Sequence, residues 1–498
     1  MNCPSILYSG KRPEAALDKH VFEDIKLNAF LTDEAIEAVA PVCSREDVLA
    51  RRALFIVLGS SPELRGRLSR LYDCIMRIRG LDELYRTARS DEERSVIYIS
   101  IARETSSFVS KAVSLCEGME ERPLLLKNFS DAFAATATSP GFIAMTGALE
   151  TVLPILERFR AVGTRILGEQ LTLTEASGEN YVSRIADCAA RLGLSVADAL
   201  RQANSGISGA VDGATRLSAE IIAGIARKNP SVFGQFAEFH KIHGDIYDRA
   251  LLTYAGEIAF YTGFTEMFDR VSAAGIPLTY CDLCDEPRID AKEVYDITLL
   301  TKDEKKIVPN DALFTPEDPF WYLTGANGGG KTTYLRAVGI AVVMNMLGAP
   351  TACSSGTMFL PDRVFTHFPR DDRFEKSGRF LDEHRRVEKI LADKTNRSVV
   401  LLNETYSGTD EDTAQRMTGL LAEKLHASCT IGIYITHQHG LSETEIPYLN
   451  VVVDREDNNR RTYKVEQRRG TFGSFAHDIL LRYSLTREQL RERFGDNR

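Results

Sequence analysis

Between about residues 15 and 285, apolar side chains recur at three- and four-residue spacing, the period of one helix face. The stretches LDELYRTARSDEERSVIYISIARETSSFVSKAVSLCE, GFIAMTGALETVLPILERFRAVGTRIL and VFGQFAEFHKIHGDIYDRALLTYAGEIAFYTGFTEMF all carry it, with few breakers. The pattern predicts helix after helix, with loops at the Gly and Pro clusters SPGF, ASGENY and KNPS. Near residue 285 the pattern changes. EVYDITLL, FWYLTG, SVVLL, CTIGIYIT and LNVVVD are short β-prone runs with helical segments between them. Strands alternating with helices predict a layered α/β domain with a mainly parallel sheet. The predicted division is a mainly helical domain over residues 1–287 and an α/β domain over residues 288–498, with the boundary in CDLCDEPRIDAKE. No internal repeat or low-complexity tract interrupts either part.

Composition changes this picture little. The 498 residues are 44% hydrophobic and 26% charged, ordinary for a globular chain. No apolar run approaches the ~20 residues of a membrane span, so no membrane partner is expected. The start, MNCPSILYSGKRPEAALDKH, lacks the charged and then apolar regions of a secretion signal. Nine scattered cysteines suit a reducing cytoplasm better than a disulfide framework. The net charge of −9 argues against a chain-wide electrostatic grip on nucleic acid but leaves room for a local basic face.

The chemistry begins at WYLTGANGGGKTTYLRAVG. It contains Gly325-x-x-x-x-Gly330-Lys331-Thr332, with an apolar strand before it and a helical pattern after it. Glycines let backbone N–H groups wrap a phosphate, and the following helix points its positive end at the same anion. Lys331 is placed to reach the β- and γ-phosphates and Thr332 to ligate magnesium. Strand, loop, lysine and helix in order favour a phosphate loop over a chance glycine-rich turn.

About 70 residues on, SVVLLNE is an apolar strand ending in Asn403 and Glu404. Glu404 is placed to position or deprotonate an attacking water. Asn403 keeps an oxygen for a magnesium-bound water but lacks the negative charge of an acid, so weakened metal binding and slow hydrolysis are expected. CTIGIYITHQHG supplies another strand with His437 just past its end, where an imidazole could sense a γ-phosphate or position the water.

Together these segments resemble the MutS family of DNA mismatch-repair ATPases, a branch of the ABC-type ATPases. TGANGGGKTTYLR is similar to the family's TGPN-x-GGKSTY loop, with Asn327 at the family's asparagine. IVPND, residues 307–311, resembles the segment leading into the nucleotide site, and VFTHFPRDDRFEKSGRF, residues 364–380, the signature region. LLNETYSGTDEDT is similar to the D-E-x-x-x-G-T segment, matching at Gly408 and Thr409, and YITHQHGL to the Thr-His segment at Thr436 and His437. Residues 461–494 resemble the closing strand and helices of the ATPase domain. The likeness covers residues 290–498. The helices before it are compatible with the family's core and lever helices by architecture only.

The resemblance implies an α/β, ABC-type P-loop ATPase domain preceded by a mainly helical core and lever domain. It implies ATP and Mg2+ as cofactors. The nucleotide would be held by Gly325, Ala326, Asn327, Gly328, Gly329, Gly330, Lys331, Thr332 and Thr333, with Ile307 near the base. Thr332, Asn403 and Glu404 would hold Mg2+, partly through water, and Glu404, Lys331 and His437 would carry catalysis. The implied partners are duplex or branched DNA, a second copy in a homodimer, and proteins of a repair pathway.

Four departures qualify that expectation. Asn403 replaces the family's usual acid. Phe380 follows Gly378-Arg379 directly, so the Ser-Thr pair after Gly-Arg is missing and a contact across the dimer would fall to Ser377 or Arg379. Ile307 stands where relatives often have an aromatic that stacks on adenine, which predicts reduced base affinity. The lever-like helices begin almost at once, so neither a mismatch-reading domain nor a nuclease-like extension is expected. Phe-x-Glu, the mismatch wedge, occurs at Phe236/Glu238 and Phe264/Glu266, but in helical patterns that predict core and surface positions.

Three weaker signals read as structural. Cys281 and Cys284 lack the second ligand pair of a zinc site. His240 and His243 share an aromatic stripe with Phe233, Phe236, Phe239 and Tyr247, which favours packing over metal. Arg460, Arg461, Arg468 and Arg469 flank a hairpin and read as a solvated strand face more than a DNA contact. The expected function is a DNA-binding ATPase with clamp-type conformational change and no direct mismatch reading. The rival is a nucleotide-gated scaffold or clamp with little hydrolysis, acting on a protein partner.

Overall fold

The computed structural model describes residues 4–10, 12–13, 17–40, 44–159, 163–167, 170–174, 222–302, 307–368, 379–406, 410–437, 446–453 and 461–468. The chain divides into two compact units. One comprises residues 1–4, 66–122 and 126–255; the other comprises 5–65, 123–125 and 256–498.

The first unit is mainly helical. Ser90 caps Asp91–Val113 by accepting the Glu93 amide, and three acids in the first turn suit the helix dipole. Leu124–Ala137, Pro140–Phe159 and Pro230–His243 supply further helices. Phe108, Phe129, Phe133 and Tyr254 form an aromatic cluster, with centroids 4.8 Å apart for Phe129–Phe133 and 5.0 Å for Phe129–Tyr254. The predicted helix through GTRIL is corrected by the fold. β1 (Gly163–Leu167) and β2 (Gln170–Thr174) pair as an antiparallel hairpin, because Thr and Ile after a Gly favour a pleated conformation. Residues of ASGENY lie outside the described residues.

His240 is held by its neighbours: the Tyr85 hydroxyl lies 2.9 Å from Nε2, and the ring stacks on Tyr98 at 4.7 Å. Phe236 is fully buried and Glu238 exposed, as the helical pattern predicts. Burial depresses the pKa of His240, and Asp91 only partly offsets it; burial depresses His243 likewise. A histidine that resists protonation when folded takes up its proton preferentially when unfolded. Its stabilising effect is therefore present above its ordinary pKa of about 6.5 and is lost as pH falls. The Tm of the wild type relative to His240→Phe should fall between pH 7.5 and 5.5; a constant difference would refute this reading. Groups common to both chains cancel in that comparison.

The second unit holds the α/β domain. β6 (Phe320–Thr324), β8 (Arg363–His367), β9 (Ser398–Asn403), β10 (Ile431–Ile435), β11 (Tyr448–Val453) and β12 (Arg461–Arg468) form one sheet in the order β12-β11-β6-β10-β9-β8. All neighbours are parallel except β11 and β12. Both faces are covered, so β6, β9 and β10 are buried throughout and read as unbroken apolar runs. Helices Lys331–Met346, Arg379–Asp393 and Glu411–Ala427 make the crossovers. Tyr434 is fully buried with its hydroxyl satisfied by Thr418 at 3.0 Å and by the Thr405 carbonyl at 3.1 Å.

A second sheet, in the order β3-β7-β4-β5, is built from β3 (Asp282–Cys284), β4 (Ile289–Val294), β5 (Asn310–Phe314) and β7 (Ser355–Phe359). The β-prone run EVYDITLL is corrected here: β4 stops at Val294 and Ile297–Lys302 is a 3-10 turn. Asp296 accepts from the Thr298 amide at 3.0 Å, a local bond that competes with strand pairing.

The division of the chain also differs from the predicted boundary, because residues 5–65 belong with the α/β domain. Ile6 and Leu7 are fully buried, and the Glu257 carboxylate accepts from the Ser5 hydroxyl at 2.9 Å and the Ile6 amide at 2.8 Å. Burial outweighs those two bonds and lifts the Glu257 pKa to about 7. Helix Arg45–Ser60 packs beside the C-terminal end of helix Lys331–Met346. A Cβ on Gly348 would lie 2.7 Å from the Val48 carbonyl, and Arg52 donates to Asn345 Oδ1 at 2.7 Å. The apolar faces of the first helices thus bury the helix that carries Lys331. Phe264 is also fully buried and Glu266 exposed, so this Phe-x-Glu likewise divides between core and surface.

Candidate nucleotide site

β6 delivers the chain into the loop Gly325–Gly330, and helix Lys331–Met346 leaves it. Gly325 and Gly330 have φ of +136° and +101°, which side-chain-bearing residues seldom adopt. Gly325 also lies so close to β11 that a Cβ would sit 2.8 Å from Val451. No side chain caps the helix at Gly330, leaving the first-turn N–H groups for an anion.

Lys331 is buried and folded back over this loop. Its Nζ donates to Gly325 O at 2.8 Å, with Ala326 O and Asn327 Oδ1 both at 3.4 Å. Burial pulls its pKa down to about 8; Glu404 opposes the shift and Arg461 adds to it. Thr332 and Thr333 follow in the first turn, both half-buried.

β9 and β10 bring the second group of residues to the same edge of the sheet. Asn403 pairs with Ile435 in register, and the Glu404 amide donates to the Ile435 carbonyl at 3.0 Å. Glu404 has φ of +50°, an uncommon conformation for a residue with a side chain and one that collects at functional sites. His437 Nε2 lies 2.8 Å from Glu404 Oε1, so the structure joins two residues that sequence reading placed separately. Asn403 is buried, and its Oδ1 has no hydrogen-bond partner among the described residues.

Beside the loop lies a cleft of about 160 Å³ lined in part by Val294, Val308, Asn310, Tyr334, Ala337 and Tyr463. The Tyr463 ring is 3.2 Å from where a Gly330 Cβ would be. Asn310 holds this wall by donating to Tyr463 O at 3.0 Å and accepting the Val465 amide at 2.8 Å. Ile307 is half-buried and does not line the cleft; its neighbour Val308 does. Nothing in the sequence singles out Tyr463, because the contact joins positions more than 130 residues apart. Ser377, Gly378, Gly408, Thr409, Arg460, Arg469 and the closing helices lie outside the described residues.

The donor set fits magnesium. A Thr332 hydroxyl and an otherwise unbonded, buried amide oxygen at Asn403 suit a hard cation held largely by phosphate and water. Cys281 Sγ lies 3.6 Å from Cys353 Sγ, and Cys284 Sγ donates to the Glu286 carbonyl at 3.4 Å.

The α/β sheet, the glycine loop and the paired strand tips define the class. Residues 321–480 match the family described as MutS domain V. Over that stretch the chain is similar to the MutS family. It is 32% identical over 183 residues to DNA mismatch repair protein MutS of Caldanaerobacter subterraneus, covering 34% of this chain and 21% of that protein. It is 31% identical over 148 residues to the protein of the same name from Staphylococcus epidermidis, covering 29% and 17%. The match to the Methanothrix thermoacetophila MutS is 31% over 142 residues, covering 28% and 17%. The matched part spans about a fifth of the length of these relatives.

Proposed function

We propose that this protein is an ATP hydrolase, converting ATP and water to ADP and phosphate, whose nucleotide state drives a clamp-type movement on DNA. The observation that carries the hydrolytic reading is the 2.8 Å pair between Glu404 and His437, on the strand tips beside the Lys331 loop. On this reading Lys331 leaves the loop carbonyls for the β- and γ-phosphate oxygens and, with the loop amides, stabilises charge developing on them. Glu404 accepts the proton of the attacking water, and His437 fixes the carboxylate and meets the γ-phosphate. Magnesium, when bound, supplies further charge neutralisation; Thr332 and, through water, Asn403 would hold it. The cleft takes the base, with the Tyr463 ring in the role that Ile307 cannot fill.

DNA and a second copy of the chain enter from the likeness to mismatch-repair proteins, as does the repair setting. Lever movement would follow from a population shift between nucleotide states. Paired and mispaired duplexes are expected to bind equally. The neutral Asn403 favours a second reading, a nucleotide-gated clamp with little turnover that acts on a protein partner.

Steady-state phosphate release separates the two. The wild type should turn over slowly and respond to duplex or branched DNA, and Glu404→Ala should lose about a hundredfold, the low end for a general base. Equal silence of both proteins, with ATP binding intact, would replace hydrolysis with gating.

A further inference from the structure

Arg461, which the hairpin pattern places on a solvated strand face, is half-buried on that strand in the fold. It opens β12, two residues before the Tyr463 ring that lies against Gly330. It pairs in register with Val453 of β11, two residues past the Val451 that would meet a Cβ on Gly325, which sets it beside the glycine loop. No hydrogen bond or ion pair of its side chain is found among the described residues. Two cations therefore attend one glycine loop, while the carboxylate at the strand tip, Glu404, is bonded to His437. Like charges held together in a partly buried site disfavour each other, and a polyanion relieves them both.

The other side of the site is also poor in negative charge. A carboxylate at position 403 would repel the phosphates of metal-free ATP and require a cation between them. The amide at Asn403 carries no charge, and its buried Oδ1 is left without a partner among the described residues. A site with an acid there would carry one more negative charge than this one, which has a second positive group beside its glycine loop.

Resting on the ATP-binding reading above, we propose that Arg461 and Lys331 together neutralise the phosphates of bound ATP, so that the site holds the nucleotide with little dependence on magnesium. A guanidinium suits this role because its planar N–H groups match phosphate oxygens and it stays charged throughout the working pH range.

The test is the affinity of the full chain for a fluorescent N-methylanthraniloyl ATP, measured with magnesium and again with excess EDTA. The wild-type Kd should change by no more than about threefold between the two conditions. Arg461→Gln should weaken binding about tenfold in EDTA, on the scale of one charge-assisted hydrogen bond, and less in magnesium. Asn403→Asp should make binding depend strongly on magnesium. Arg468→Gln, at the far end of β12, controls for general charge, and thermal unfolding of each variant controls for folding. A wild-type loss of about thirtyfold or more in EDTA would overturn the proposal, as would an Arg461→Gln effect no larger than that of Arg468→Gln. No binding by the wild type in either condition would remove the ATP-binding reading itself.

Discussion

Lys331→Ala should lower the affinity for ATP by at least about a hundredfold and take phosphate release with it. Hydrogen bonds to charged groups contribute about 1.5–3 kcal/mol each, and a lysine reaching two phosphates makes about two of them. The lysine is already inside the site, donating to Gly325 O at 2.8 Å, so little new ordering is required when phosphate arrives. Its burial makes the exchange favourable. Burial pulls its pKa down to about 8 against the opposing charge of Glu404, so an anion arriving beside the buried ammonium stabilises it. The alanine variant should keep its fold, because the removed group is desolvated at a cost in the empty protein. Calorimetric titration with ATP, beside thermal unfolding, measures both. Unchanged affinity would mean that the glycine loop is not the phosphate site.

Gly432→Ala should destabilise the α/β unit by about 3 kcal/mol or more, a large overpacking effect for a single methyl. Gly432 lies in β10, between β9 and β6. A Cβ there would come within 2.3 Å of the Val400 carbonyl and 2.8 Å of Phe320 Cε2. The backbone oxygen belongs to the sheet ladder and cannot turn aside. Relief would require opening β10 from β9, whose tips hold His437 and the Asn403–Glu404 pair, so nucleotide affinity should fall with stability. A drop in Tm of roughly 5–10 °C is expected on the usual scaling for domains of this size. A variant with wild-type Tm would show that the strands can separate freely there.

Much of the site was legible along the chain because its parts are local. The phosphate loop is a strand, six loop residues and a helix in immediate succession, and each part has its own signal. The apolar run Val399–Leu402 announced a strand buried on both faces, which placed Asn403 and Glu404 at its tip. The same logic placed His437 just beyond β10, although not its bond to Glu404. That bond depends on β9 and β10 being parallel neighbours in register, and no local pattern encodes register between strands separated by a helix.

The sequence by itself determined the loop chemistry, the buried strands, the helical character of the first half and the neutral residue at position 403. These follow from side-chain type and short-range period. Only the tertiary structure decided that residues 5–65 pack against the loop helix, that GTRIL turns into a hairpin, and that IVPND joins a second sheet. It alone brought Arg461 to Lys331 and Tyr463 to Gly330. Each of these is a pairing between distant segments, fixed by which apolar faces can bury one another and by close approaches that only glycine allows. Such complementarity belongs to two surfaces at once, and a single stretch of chain carries only one of them.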